Sequence, residues 1–181
     1  ALYMEKFLTN VKHVEMQVLA DEQGNIITLG ERDCSMQRKN QKLIEESPCT
    51  VMPENVRKRM RDVTVKAVKT VGYTNAGTIE YLLDRDNNFY FMEMNTRLQV
   101  EHSVTEYVSN IDIVKWQIRI AAGMKLIYKQ SDVRLHGCAI ECRINSEDYK
   151  NNFRPSCGKI TLLHIPGGPW VRFDTAIYQD Y

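Results

Sequence analysis

Residues 78–101 constrain the fold more than any other stretch. Positions 78–83 and 89–95 read as two strands, and Asp84, Arg85, Asp86, Asn87 and Asn88 between them are turn chemistry, so the stretch is a β-hairpin. With Asp86 and Asn87 as the central turn residues, Glu80 falls directly opposite Glu93 on one face. Two facing carboxylates repel unless a cation lies between them. Carboxylates together with nucleotide phosphates are the usual oxygen donors to magnesium. The polar positions then continue in alternation through Asn95, Arg97, Gln99 and Glu101, against Met94, Thr96, Leu98 and Val100. An extended chain would put all five polar groups on one side. Glu and Asn suit a metal, Arg and Gln grip a planar oxyanion in forked hydrogen bonds, and Glu101 is placed to act as a general base. The competing reading is a solvated face whose charges guard a strand edge against aggregation.

Elsewhere the periodicity predicts a first hairpin over 13–33 and a polar loop over 33–47 that carries Arg38, Lys39 and Lys42. A helix is expected over 53–71, with Val56, Met60, Val63, Ala67 and Val71 inward and Gly72 at its end. A second is expected over 112–122, where Ile113, Trp116 and Ile120 join Ile111, Val114 and Ile118 in a broad apolar arc. After residue 130 short strands follow, at 137–145 with Cys138, Ile140, Cys142 and Ile144 inward, and at 159–165. The change of texture puts a domain boundary near 125–136. The fold class is α+β.

Charge and cysteine content exclude several functions. The 181 residues hold 24 Lys plus Arg and 23 Asp plus Glu, a net +1, which does not suit a nucleic-acid or anionic-membrane coat. No apolar run is long enough to span a bilayer, and the first residues lack the basic-then-apolar layout of a signal peptide. Five cysteines, an odd number without zinc-ligand spacing, point to a reducing compartment. Neither a P-loop nor a Rossmann glycine turn is present.

The runs Met4-Glu-Lys-Phe-Leu8, His13-Val-Glu-Met-Gln-Val-Leu19, Glu31-Arg-Asp-Cys-Ser-Met-Gln-Arg38, Phe91-Met-Glu-Met-Asn-Thr-Arg-Leu-Gln-Val-Glu-His102 and Glu141-Cys-Arg-Ile-Asn145 closely resemble biotin carboxylase, the ATP-grasp component of biotin-dependent carboxylases. The likeness runs along essentially the whole chain. It implies the later part of an ATP-grasp domain at 1–128, an antiparallel sheet with packed helices, and the beginning of the biotin carboxylase C-terminal domain at 129–181. By the same resemblance Glu80, Glu93 and Asn95 hold Mg2+ or Mn2+. Glu5, Lys6, Leu8, His13, Gln37, Asn40 and Leu82 join Glu80 and Glu93 in meeting ATP. Lys42, Arg97, Gln99, Val100 and Arg143 hold bicarbonate, Arg143 also serves biotin, and Arg97, Glu101 and Arg143 are catalytic, with Glu101 as the base.

The implied partners are a biotin carboxyl carrier protein or domain, a carboxyltransferase component and a second copy of the parent in a homodimer. Nucleic acid and membrane are not among them. The implied location is cytoplasmic, or mitochondrial matrix or plastid in a eukaryote. Three positions depart from the family pattern: Asn40 where His is common, and Ser103 and Cys157 where Pro is common. The family's N-terminal domain and glycine-rich lid are expected to precede residue 1, so the chain alone is expected to be inactive. The other readings are an ATP-grasp ligase such as carbamoyl phosphate synthetase, and a non-catalytic module for self-association or carrier docking.

Overall fold

The computed structural model describes residues 2–181, which form two compact units, one ending at Arg143 and the other spanning Ile144–Tyr181. In the first unit a six-stranded antiparallel sheet runs in the order β5-β4-β1-β2-β3-β6. Its strands are β1 (Lys12–Ala20), β2 (Ile26–Arg38), β3 (Gln41–Ser47), β4 (Asn75–Leu83), β5 (Phe89–Asn95) and β6 (Ala139–Cys142). Helix α1 (Glu54–Thr70) follows β3, and α2 (His102–Ser109) and α3 (Ile113–Ala121) follow β5.

Strand alternation gives the sheet two unlike faces. Val14, Met16, Val18 and Ala20 of β1, with Ile79, Tyr81 and Leu83 of β4, pack with Val56, Met60 and Val68 of α1 in a dry core. The opposite face divides along its length. At one end Leu19, Ile27, Leu29 and Ala76 pack with Ile113, Trp116 and Ile120 of α3. At the other end the same face carries His13, Glu15 and Gln17 of β1.

Glycine at position 30 makes that division possible. Residues 29 and 30 bulge from β2 where the register passes from Val18↔Thr28 to Met16↔Glu31, and Gly30 takes φ +89°, open to glycine at no steric cost. The extra residue reverses the parity of β2. Ile27 and Leu29 face α3 before the bulge, and Arg32, paired with Glu15, shares their face after it. A side chain at residue 30 would also meet Leu135 at 2.7 Å.

Several expectations are corrected. The segment 33–47 is not a loop: it is the end of β2 and all of β3, turning at Lys39 and Asn40, both with positive φ. Asp33, Glu45 and Ser47 are buried and Lys42 is half-buried among carboxylates, while Lys39, Asn40 and Gln41 at the turn are exposed. The inward stripe of α1 is Val56, Met60, Thr64 and Val68, while Val63 and Val71 are exposed, because the Thr64 hydroxyl meets the Tyr81 hydroxyl at 2.7 Å in the core. In α3 the Ile113–Trp116–Ile120 arc is buried and Ile118 is exposed. β6 lies the other way round from expectation, with Cys138, Ile140, Cys142 and Ile144 exposed, Glu141 turned inward to the Ser103 hydroxyl and Arg143 to carboxylates. Residues 159–165 form no strand. The second unit has one short strand pair, β7 (Glu147–Asp148) with β8 (Arg154–Pro155), and backbone bonds tie Ile160 to Asp180 and Tyr181.

Candidate active site

The polar end of the open sheet face is built around Arg32. Its side chain is fully buried, and its five N–H groups meet Glu15 Oε1 (2.5 Å), Gln17 Oε1 (2.7 Å), Thr105 Oγ1 (2.8 Å), Thr78 Oγ1 (3.2 Å) and Gln99 Oε1 (3.0 Å). That is the whole donor capacity of a guanidinium. Burial works against the charge, yet Glu15 holds it in place and pushes the pKa of Arg32 further up. Gln99 is oriented from both ends, since its amide nitrogen donates to Glu80 Oε1 at 2.7 Å.

Lys42 stands above this hub, with Nζ donating to Glu15 Oε2 (2.6 Å), Glu80 Oε1 (2.9 Å) and Glu101 Oε1 (2.7 Å). Burial disfavours its charge, and the surrounding carboxylates outweigh that and raise its pKa. Glu80 also meets His13 Nε2 at 2.7 Å. Gln37 gives its amide nitrogen to the Cys34 carbonyl at 2.8 Å and lies 3.0 Å from His13 Nδ1, which holds the ring against Glu80. Burial alone would raise the Glu80 pKa, but His13 and Lys42 hold it down at about 2. Glu101 is likewise held below the ordinary range, burial being outweighed by Lys42. Arg143 closes the far side, with Nε on Glu45 Oε1 at 2.7 Å and Nη2 on Glu101 Oε2 at 2.9 Å.

Glu80 and Glu93 are directly paired across β4 and β5. The route to that register differs from the expected two-residue turn. The loop spans 84–88, which sets Tyr81 opposite Phe91, and Met92 then bulges to restore Glu80↔Glu93. Asn95 Nδ2 bridges the two carboxylates, 3.0 Å from each. Two carboxylates and one amide form a hard-oxygen donor set that suits Mg2+ or Mn2+ once the amide turns its oxygen inward.

The structure thus joins His13, Gln37, Lys42, Glu80, Glu93, Asn95, Gln99, Glu101 and Arg143 in one network. Strand β5 ends at Asn95, so the expected extended run to Glu101 is replaced by a turn into α2, and Gln99 and Glu101 reach the network from it. Other expected residues stand apart. Arg97 is exposed and donates to the Leu98 carbonyl, and Val100 is exposed. Leu82 is half-buried opposite His13, and Asn40 sits on the exposed β2–β3 turn. Glu5 and Lys6 are exposed and Leu8 half-buried in irregular chain, where Lys6 lies over the Tyr90 ring at 5.6 Å. Sequence reasoning passed over Glu15, Gln17, Arg32, Glu45, Thr78 and Thr105. The signal for Glu15 and Gln17 was the polar phase of β1, which continues from His13.

Residues 1–129 match the family model for the carbamoyl-phosphate synthase L chain, ATP binding domain, and residues 141–181 match the biotin carboxylase C-terminal domain. Biotin carboxylase 1, chloroplastic, of Populus trichocarpa is 53% identical over 99% of this chain, which spans 34% of that relative. The chain belongs to the biotin carboxylase family. Its fold is the corresponding region of the biotin carboxylase ATP-grasp architecture. The crystal structure of the biotin carboxylase subunit of pyruvate carboxylase superposes with a TM-score of 0.94 at 53% identity, over 97% of this chain and 39% of the other. The biotin carboxylase domain dimer of the Hydrogenobacter thermophilus 2-oxoglutarate carboxylase, solved with MgADP, ADP and bicarbonate, superposes with a TM-score of 0.88 at 55% identity, over 91% of this chain and 36% of that one. Among the described residues no helix is long and apolar enough to cross a membrane.

Proposed function

We propose that this chain is the metal-, bicarbonate- and biotin-facing part of a biotin carboxylase, an ATP-dependent ligase that carboxylates biotin on a carrier protein. The observation that carries the proposal is the clustering of Lys42, Glu80, Gln99, Glu101 and Arg143 in one hydrogen-bonded network, beside a paired Glu80/Glu93. Carboxylates alone would suit many sites. Two cations set against a buried carboxylate, next to an oriented amide, suit a small planar anion that must also lose a proton.

In this reading Lys42, Gln99, Arg97 and the Val100 backbone hold bicarbonate, and Arg143 holds it together with biotin. Lys42 and Arg143 now neutralise Glu101. A bound bicarbonate would share both cations, so the proton affinity of Glu101 would rise as the substrate arrives, which is what a base needs. Deprotonated bicarbonate attacks the γ-phosphate of ATP and ADP leaves. The resulting carboxyphosphate breaks down to CO2 and phosphate, phosphate takes the ureido proton, and Arg143 steadies the negative oxygen of biotin while it is carboxylated. Glu80, Glu93 and Asn95 would hold Mg2+ or Mn2+, which supplies charge neutralisation at the phosphates. Glu5, Lys6, Leu8, His13, Gln37, Asn40 and Leu82 are assigned to the nucleotide.

The domain boundary is placed at 128/129. The carrier, a carboxyltransferase component and a homodimer of the longer protein are the proposed partners. Since the chain spans about a third of its Populus relative, the 181 residues alone should not turn over. Biotin-dependent ATP cleavage by the purified chain would refute that. In a full-length carboxylase carrying this segment, Asn95→Ala and Arg97→Ala should abolish bicarbonate-dependent ADP formation, whereas unchanged rates would point to a non-catalytic module.

A further inference from the structure

We propose that Glu45 is a positioning residue, whose carboxylate holds the Arg143 guanidinium by its Nε edge so that the fork stays turned to Glu101 and to the substrates. The inference rests on the reading of the site given above and adds to it a residue with no assigned role.

Folding alone gives no reason for an acid at this place. The Glu45 side chain is fully buried in β3, and among the described residues only its Oε1 is engaged, by Arg143 Nε at 2.7 Å, while the buried Oε2 has no hydrogen-bond partner there. Its cross-strand neighbour on β6 is Glu141, a second carboxylate. A half-satisfied buried acid facing another acid opposes folding. An apolar side chain or an amide would be tolerated at less cost.

What the arrangement supplies is orientation. Arg143 lies just beyond β6, its backbone N–H bonded to the Leu43 carbonyl, and its side chain is tied at two points, Nε to Glu45 and Nη2 to Glu101. Glu101 must change its proton during the reaction, so that tie is variable. Glu45 takes no proton in the chemistry, so above its own titration its tie stays constant through the reaction. The charged groups that act on Glu45 are Arg143 and Glu141 from β6 and its end and Glu101 from the turn into α2; on the neighbouring strand β2 the buried Cys34 has its sulfur within 4.8 Å of Glu15 and Glu101 ligand atoms. Glu141 is itself engaged by the Ser103 hydroxyl at the start of α2. Burial lifts the Glu45 carboxyl to about 7, with Arg143 drawing it down and Glu141 and Glu101 pushing it up.

The test uses a full-length carboxylase carrying this segment, assayed for ADP formation with bicarbonate, with and without free biotin, from pH 6 to 9 (roughly the range where buried acids of this kind titrate). Glu45→Ala should lower the biotin-stimulated kcat about tenfold or more, the cost of a misplaced group, with KM for ATP unchanged. In the unsubstituted enzyme this kcat should fall on the acid side of about 7, as Glu45 gains a proton and loosens its hold. Glu45→Gln, neutral throughout, should lose that acid limb and run at its low plateau, while its Tm at pH 8 is no lower than that of the unsubstituted protein. Lower activity without lower stability separates positioning from packing. No biotin stimulation in the unsubstituted enzyme overturns the site reading and this inference together. An active enzyme in which Glu45→Ala leaves kcat unchanged, or Glu45→Gln keeps the limb, overturns this inference alone.

Discussion

The two faces of the central sheet come from the same strands and the same alternation, yet they are held by different physics. On the α1 side, Val14, Met16, Ile79 and Met60 remove apolar surface from water, and no single contact is indispensable. On the open side Arg32 is satisfied by five named acceptors, so each partner is indispensable to the others. The difference is also one of purpose. Apolar packing tolerates small shifts, whereas the Arg32 hub fixes Gln99 and Glu15 at set positions beneath Lys42, where a substrate would be held.

The sharpest way to break this comparison is at the hub. Arg32→Ala leaves the buried Glu15 with Lys42 alone and takes from Gln17, Gln99, Thr78 and Thr105 their common donor, and should cost about 3–5 kcal/mol, as breaking a buried ion pair does; urea unfolding of the protein measures it. A loss below about 1 kcal/mol, the median for an exposed pair, would mean that water or a neighbour replaces the guanidinium. On the apolar side Met60→Ala should cost about 2–5 kcal/mol through a cavity, with spread set by how far α1 settles onto the sheet.

The pH dependence of stability offers a subtler contrast. Glu45 has a folded-state pKa raised from 4.5 to about 7, so its contribution to stability is full below 4.5 and is lost as pH climbs through about 7. Glu45→Gln should flatten that part of the Tm–pH curve. A curve of unchanged slope would mean that the carboxyl is not buried as described. The smallest effect belongs to the rim: Arg97, exposed and bonded to a neighbouring carbonyl, should change stability by less than about 0.5 kcal/mol on conversion to Ala.

The two faces were not equally legible in the sequence. Apolar spacing placed α1 to within a residue at each end and identified β1, but it assigned Val63 inward where Thr64 is, because a hydroxyl pair with Tyr81 can be buried as readily as a valine. The open face was legible where local chemistry was dense, at Glu80, Glu93, Asn95, Gln99 and Glu101. It was obscure wherever a bulge intervened. Gly30 switches Arg32 onto the site face, and Met92 restores a register that the five-residue loop had offset, so the Glu80–Glu93 pairing was reached from a turn the chain does not make. β3 was hidden for a different reason. Lys42 and Glu45 look like loop residues until partners that are distant in sequence, Glu15, Glu101 and Arg143, neutralise them. β6 was inverted by the same rule, since Glu141 and Arg143 have partners inside and the isoleucines do not.

The central claim is that the open face is a biotin-carboxylating site. Its most direct test is the rate of bicarbonate-dependent ATP cleavage by a full-length protein carrying this segment, measured with and without free biotin, in the unsubstituted form and in Arg97→Ala. The account requires biotin to accelerate ADP formation and Arg97→Ala to remove that acceleration with Tm unchanged. Cleavage that proceeds at the same rate with and without biotin would contradict it and favour a ligase that uses bicarbonate alone.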